Sequence, residues 1–328
     1  MIIDSHGHTV APAEVYAYQS LLLASRGNPI VGAPKISDDK IQSSLQGHVK
    51  LMKEVGTDLQ LISPRPFHAM HSIQPAAVIH QWTSFVNDII ARQVKMEPTM
   101  FKGVAGLPQS MEEGIDRSVY ELERCVKELG FVGCLINPDP AEGGHPTAPA
   151  MGSEYWYPLY EKMVELKVPA LVHSAACCNP RLSYTLHFIN EENIAIMSLL
   201  ESRVFQDFPD LKIVISHGGG AIPYHTGRFQ AWRSRKGVEE PFIDSLRKLY
   251  FETCTYNKDA LELLFKTIGT DNVLFGTEKP GTGSGIDPKT GLYLDDLKPV
   301  IESIDFLTAE DKKKIFETNA KKVYQLLE

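Results

Sequence analysis

Eight short apolar runs recur along the chain, and most are followed by a stretch in which apolar residues repeat with the period of a helix. Several runs are continuously apolar, as expected for strands that are buried on both faces of a parallel sheet. The predicted strands are residues 1–6, 59–63, 103–107, 131–136, 170–173, 212–216, 248–253 and 273–276. The clearest predicted helices are residues 79–94, 117–129, 155–166, 193–205, 260–268 and 311–327.

This alternation has no break in composition and no internal repeat. It predicts a single α/β domain over residues 1–328, a (β/α)8 barrel of the TIM type, rather than two doubly wound domains. Residues 11–40 and 279–296 exceed a minimal barrel, and we expect them as long loops at the C-terminal face, where such barrels carry their active sites. The second segment is rich in glycine, but Asp287-Pro288 follows instead of the Lys-Ser/Thr of a phosphate loop, which argues against nucleotide binding.

The composition narrows the possible partners and compartments. Hydrophobic residues make up 43% of the 328 positions and charged residues 23%, as in globular proteins. The chain has no apolar run long enough to span a membrane and no signal-peptide pattern at its N-terminus, so we expect neither a membrane partner nor export. The formal net charge of −8 argues against nucleic acid but permits a small acidic substrate. An odd number of cysteines, 5, without CxxC spacing, predicts reduced thiols in the cytoplasm.

Residues that can bind a metal ion follow several predicted strands. His6 and His8 end the first strand and lie on one side of it, because residues two apart share a face, and Gly7 between them leaves room for a ligand. Later strands end, in chain order, in His173, His217 and Glu278. A single histidine at a strand end is usually structural, but a barrel brings all these ends to one mouth. Three imidazoles from such a group, together with the carboxylate, suit one Zn²⁺ or Mn²⁺ ion.

The motifs around these residues resemble the amidohydrolase superfamily, in the branch of aminocarboxymuconate-semialdehyde and resorcylate decarboxylases. They are DSHGH at 4–8, VHS at 172–174, SHGGGAIPYHTGRF at 216–229 and FGTE at 275–278. Further segments are similar to 4-oxalomesaconate hydratases and to zinc-dependent hydrolases of biaryl meta-cleavage products. These are LISPRPF at 61–67, INPDP at 136–140, YWYPLYEKM at 155–163 and GIDPKTG at 285–291, with LHFINEE at 186–192 for the hydrolases.

The resemblance implies one divalent ion, zinc or alternatively manganese. Its ligands, carried over by position, are His6, His8, His173 and Glu278. Glu278 replaces the Asp of most superfamily members, and it is the residue type of the hydratases and biaryl hydrolases. The predicted fourth strand ends without a lysine, so the carbamylated-lysine bridge of binuclear members is not expected. The resemblance makes Glu278 and His217 the catalytic candidates, with His217 as general acid or base; its alternative role is to orient a ligand.

The resemblance leaves several functions open. The leading expectation is hydrolysis of a C–C bond in a carboxylated aromatic ring-cleavage product by metal-activated water, a step of aromatic catabolism. The alternatives are hydration of 4-oxalomesaconate-like acids and non-oxidative decarboxylation of an aromatic or muconate acid. A catalytically silent binding protein on the same scaffold is a further class, which the intact ligand residues disfavour. The resemblance also implies a homodimer.

A carboxylated substrate requires cationic partners near the metal. Arg65, in SPRPF after the second strand, is the main candidate, because a guanidinium binds a carboxylate through two parallel contacts. Arg228 is equally well explained as a substrate contact or as a structural salt-bridge partner. Other predicted pocket residues, all in the loop expected after the fifth strand, are Arg181, Tyr184, His187 and Asn190.

Overall fold

The computed structural model describes residues 1–143 and 148–326. Its centre is a parallel sheet of eight strands in which neighbours in sequence are neighbours in space. Strands β1 to β8 span Ile3–His8, Leu59–Ser63, Phe101–Ala105, Gly133–Ile136, Ala170–Val172, Ile213–Ile215, Tyr250–Glu252 and Val273–Leu274. The last strand joins the first, because the Ser5 amide donates to the Phe275 carbonyl at 2.8 Å and the Glu278 amide to the His6 carbonyl at 2.7 Å. The predicted (β/α)8 barrel is confirmed.

Helices connect the strands. Helices α1 to α13 span Ala13–Ser25, Asp38–Val55, Ala77–Met96, Asp116–Lys127, Tyr157–Leu166, Tyr184–Leu200, Val204–Asp207, Thr226–Arg235, Phe242–Leu246, Lys258–Ile268, Leu297–Glu302, Ala309–Lys313 and Asn319–Tyr324. Short polar signals set some of their ends: the Ser37 side chain accepts from the amide of Lys40 at the start of α2, and Gly56 ends that helix with φ of +72°. Among the residues described, no helix combines the length and the apolar character that a bilayer crossing requires.

Three predicted elements need correction. Residues 11–40 are not one loop, because Val15, Tyr18 and Leu22 recur at helical spacing and are buried in α1. The helix predicted at 193–205 begins nine residues earlier, since α6 spans Tyr184–Leu200 and ends before the separate helix α7. The predicted helix at 311–327 is divided into α12, a π-helical turn at Lys314–Thr318 and α13; its residue 327 lies outside the described part of the chain.

The interior of the barrel is apolar beneath its C-terminal mouth. Side chains from seven strands meet in one buried cluster, which they can do only inside a closed barrel. The cluster includes Ile3, Leu59, Leu61, Val104, Leu135, Leu171, Val214 and Leu274, together with Ala320, Val323 and Tyr324 of α13. A second, larger cluster packs the helices against the outside of the sheet. This packing fixes the strand ends, and so the positions of the polar side chains that follow them.

Candidate active site

Side chains at the ends of β1, β5, β6 and β8 meet at the mouth of the barrel. The Nε2 atoms of His6 and His8 lie 3.3 Å apart, which confirms that the two rings share one side of β1. Glu278 Oε1 is 3.6 Å from His8 Nε2 and 3.8 Å from His173 Nε2. The ring centroid of His217 is 4.8 Å from that of His173. We call His6, His8, His173, His217 and Glu278 the histidine cluster.

The histidine cluster has the donors and the spacing of a metal site. Donor atoms of His6, His173, His217 and Glu278 all lie within 4.8 Å of one another, and His8 adjoins them through His6. His173 Nε2 is buried and has no hydrogen-bond partner, as expected for a nitrogen that faces an ion. Imidazole and carboxylate donors suit zinc and manganese alike. Since His217 groups as closely as the others, the predicted ligand set of His6, His8, His173 and Glu278 stays a prediction.

Contacts behind the rings orient them toward the centre of the cluster. His173 Nδ1 donates to the Ser174 carbonyl at 2.7 Å, so its Nε2 is left with a free lone pair. His8 Nδ1 lies 2.9 Å from Ser63 Oγ. His6 Nδ1 faces Glu252 Oε1 at 3.3 Å. Such contacts fix the ring orientation and make a metal-binding nitrogen more basic.

His217 is held in a strained position by two buried glutamates. Its Nδ1 lies 2.5 Å from Glu192 Oε1, its amide donates to Glu252, and its φ is +52°. Burial alone would lower the pKa of His217, but the Glu192, Glu278 and Glu252 carboxylates outweigh burial and raise the pKa to about 10. These carboxylates therefore favour the protonated ring, which can act as a proton donor.

Glu192 and Glu252 were missed by sequence reasoning. Glu252 ends β7, and a polar residue at a strand end was a usable signal there. Glu192 lies in α6, where it is buried with His187, Phe188 and Ile196 at helical spacing. A charged residue on the buried face of a helix was the signal, but residues 184–192 were expected to form a loop.

A buried polar network lies under His6. Asp4 accepts hydrogen bonds from Gln60 Nε2 at 2.9 Å and from Thr277 Oγ1 at 2.6 Å, which ties β1 to the end of β8. A Cβ at Gly7 would lie 2.4 Å from Cδ of Gln60. The glycine between the two histidines is therefore required by Gln60 in this network and not, as expected, by the size of a ligand.

Two cavities open beside Glu278. The first, of about 440 Å³, is lined by His8, Arg65, Phe67, Tyr184, Glu278 and Thr282, among others. The second, of about 270 Å³, is lined by Tyr184, Phe188, His217, Tyr256, Glu278 and Thr282, among others. Tyr184, Glu278 and Thr282 line both cavities, so a small molecule can reach the cluster from either one.

The structure brings only two of the predicted substrate-binding residues to these cavities. Arg65 donates through Nε to the Thr9 carbonyl at 3.1 Å and through Nη2 to the Pro280 carbonyl at 3.4 Å, which holds its guanidinium at the edge of the first cavity. Tyr184 stands at the start of α6 and its ring centroid lies 4.5 Å from that of Phe188, one turn later.

The other four predicted residues do not line either cavity. His187 is buried on another side of α6, because successive residues of a helix are turned by about 100°. Asn190, three residues later, is half-buried on that helix. Arg181 is exposed in the turn before α6, and Arg228 is exposed on α8, a helix without a buried residue.

Comparisons with known proteins define the family. A sequence profile described as amidohydrolase matches residues 3–326. The chain belongs to the amidohydrolase family. This amidohydrolase is therefore a member of an enzyme superfamily, and the resemblance inferred from the strand-end motifs is confirmed.

Two hydratases match this amidohydrolase over nearly its full length. It is 41% identical over 335 residues to a 2-keto-4-carboxy-3-hexenedioate hydratase of Sphingobium sp., covering 100% of this chain and 97% of the relative. The crystal structure of a 4-oxalomesaconate hydratase from Rhodopseudomonas palustris superposes with a TM-score of 0.89 at 40% identity, covering 99% of this chain and 96% of that one. A dihydroxybenzoic acid decarboxylase from Polaromonas sp., solved with bound manganese, shares the fold with a TM-score of 0.73 at 24% identity, covering 99% and 96%.

Proposed function

We propose that this amidohydrolase is a metal-dependent hydratase that adds water to the double bond of a carboxylated 2-keto-3-enoate. The observation that supports this most is the match to two hydratases at 40% and 41% identity over almost the entire chain. C–C hydrolysis, the reaction expected first from the sequence, is represented by none of these three relatives. The proposal therefore adopts hydration, which the sequence analysis held as an alternative.

The substrate class explains how water can add. In 2-keto-4-carboxy-3-hexenedioate the C3–C4 double bond is conjugated with the keto group, so C4 is electrophilic. Water loses one proton as its oxygen bonds to C4, and the electron pair of the double bond moves to C3 and the keto oxygen. A proton delivered to C3 completes the reaction. Nothing leaves, so the single product is heavier than the substrate by one water.

The histidine cluster contains groups suited to both proton transfers. A divalent ion, held by the predicted ligands His6, His8, His173 and Glu278, would acidify water and polarise the keto group. Burial opposes ionisation of Glu278, but its interactions with the surrounding histidines, first His173 and His8, hold its pKa well below the usual range. Glu278 is thus a carboxylate that borders both cavities and can accept the proton of water. His217, as an imidazolium, can stabilise the negative charge that develops and return a proton to C3.

Arg65 gives the first cavity a positive charge where a substrate carboxylate would bind. Two of its nitrogens donate to backbone carbonyls, so its guanidinium is fixed while the remaining N–H groups stay available for a carboxylate. Arg65 lines the first cavity, His217 lines the second and Glu278 borders both, so a substrate that contacts Arg65 and His217 extends across both cavities. We propose that Tyr184, which lines both, packs against the conjugated chain.

Mass spectrometry separates the candidate reactions in one experiment. The enzyme is incubated with 2-keto-4-carboxy-3-hexenedioate in water enriched in ¹⁸O. We expect one product that has the mass of substrate plus water and carries ¹⁸O in its new hydroxyl group at C4. Two fragments from a meta-cleavage product, or CO₂ from a dihydroxybenzoate, without any hydration of the enoate would contradict the proposal.

We further propose zinc, with manganese as the alternative, and a homodimer in the cytoplasm. A dimer is supported by α8, which has no buried residue and carries Trp232, 51% exposed, with Tyr224 just before it at 75%. Light scattering of the purified protein is expected to give twice the chain mass of 36.6 kDa. A monomer at micromolar concentration would contradict the dimer.

A further inference from the structure

Tyr256 lies in the turn after β7 and contacts Glu278, although no motif pointed to it. We propose that Tyr256 is a positioning residue of the metal site, which holds one oxygen of Glu278 so that the other faces the histidines. The inference assumes a divalent ion at the histidine cluster, and it does not depend on which reaction the enzyme catalyses.

The hydroxyl proton of Tyr256 has one clearly preferred acceptor. The phenol oxygen lies 2.8 Å from Glu278 Oε2 and 3.4 Å from the Thr277 carbonyl. Cys254 Sγ, at 3.5 Å, is placed to donate its own proton to the phenol oxygen. Since a carboxylate is also a stronger acceptor than a carbonyl, the phenol donates to Glu278 Oε2.

The two oxygens of Glu278 thereby face different partners. Oε2 is taken by Tyr256, whereas Oε1 lies 3.6 Å from His8 Nε2 and 3.8 Å from His173 Nε2. A glutamate side chain is flexible about three bonds, and a hydrogen bond to one oxygen removes much of this freedom before an ion binds. The oxygen left free is the one that points into the cluster.

The backbone shows that the contact is held against strain. Tyr256 and Glu278 have φ of +55° and +59°. These values lie in the left-handed region of backbone conformation, which residues other than glycine rarely adopt. The loop after β8 closes over the phenol, because a Cβ at Gly283 would lie 2.6 Å from Cε1 of the Tyr256 ring. The ring is therefore fixed from two sides, and its hydroxyl has little freedom to leave Glu278.

Metal affinity of Tyr256→Phe tests this role without reference to catalysis. The substitution keeps the ring and removes only the hydroxyl. Loss of a partner of this kind typically weakens metal binding about 10- to 100-fold, and we expect this change in the dissociation constant for zinc, measured by competition with a chromogenic chelator. The matched control is Tyr160→Phe on α5, where the buried hydroxyl donates to the Met151 carbonyl at 2.7 Å. This control should bind zinc as the wild type does.

The possible outcomes separate clearly. A folded Tyr256→Phe whose zinc dissociation constant stays within about twofold of the wild-type value would overturn the positioning role. If this variant does not fold, Gly283→Ala replaces it, because the added Cβ would lie 2.6 Å from Cε1 of the Tyr256 ring and 2.7 Å from Cβ of Asp295, so that the ring and the loop must move apart. We expect weakened zinc binding there as well, and unchanged binding would again overturn the proposal. A wild-type protein that binds neither zinc nor manganese would overturn the metal site itself, whereas failure of the hydration assay would leave this inference standing.

Discussion

The histidine cluster and the rim of the first cavity lie side by side, yet they are built differently. Cluster residues stand at strand ends, nearly all buried, and their rings are oriented by hydrogen bonds such as that of His173 to the Ser174 carbonyl. The rim, which we define as Arg65, Phe67, Tyr184 and Thr282, stands on loops and at a helix start. Phe67 is 55% exposed and Tyr184 45%. The barrel thus fixes the reactive groups, while loops that can vary independently select the substrate.

Replacing Glu278 by glutamine should have the largest effect of any substitution at the mouth. The change removes the charge that we propose accepts the proton of water, and a proposed metal ligand, so we expect kcat to fall by about a thousandfold or more. The measurement is steady-state turnover with metal content determined on the same sample. Glu201→Gln at the exposed end of α6 is the control and should keep normal turnover. Near-normal activity of Glu278→Gln would contradict the role of the cluster.

His217→Asn tests whether this residue acts on the substrate or binds the ion. We expect kcat to fall about 10²- to 10⁴-fold, because the substitution removes the group proposed to return the proton. The variant should nevertheless retain its metal, as measured by elemental analysis, if the ligands are His6, His8, His173 and Glu278. Loss of the metal would instead make His217 a ligand, which the spacing of its nitrogen also permits.

The sequence predicted the cluster well because the fold determines where strand ends lie. His6, His8, His173 and Glu278 could be placed together without knowing any loop, since parallel strands of a barrel end at one mouth. In the structure, nitrogen and oxygen atoms of neighbouring side chains in this group lie 3.3, 3.6 and 3.8 Å apart, so the side chains do meet as expected. Metal binding by these residues, and their division into ligands and catalytic groups, stay predictions.

The rim was less predictable because it depends on where helices begin. Residues 184–192 were expected to form a loop, and all polar residues in it were equal candidates for the pocket. In the helix that forms there, Tyr184 faces the mouth, while His187 and Asn190 are turned away from both cavities. For the same reason Glu192, buried against His217, could not be recognised before the face of α6 was known.

Arg65→Ala should have a smaller effect that is confined to substrate binding. Loss of a fixed guanidinium that binds a carboxylate typically costs about 10- to 100-fold in affinity, so we expect KM to rise by this factor with little change in kcat. Arg181→Ala, at an exposed arginine outside both cavities, is the matched control and should change KM less than twofold. An equal effect of Arg65→Ala on an analogue that lacks one carboxylate would remove Arg65 from the pocket, and the rim would lose its proposed role.

The most direct test of the histidine cluster is the metal content of the active enzyme. Inductively coupled plasma mass spectrometry on purified protein should find about one zinc or manganese ion per chain. Removal of the ion by a chelator should abolish turnover, and either metal should restore it. Full activity in a sample with no stoichiometric divalent ion would contradict the account.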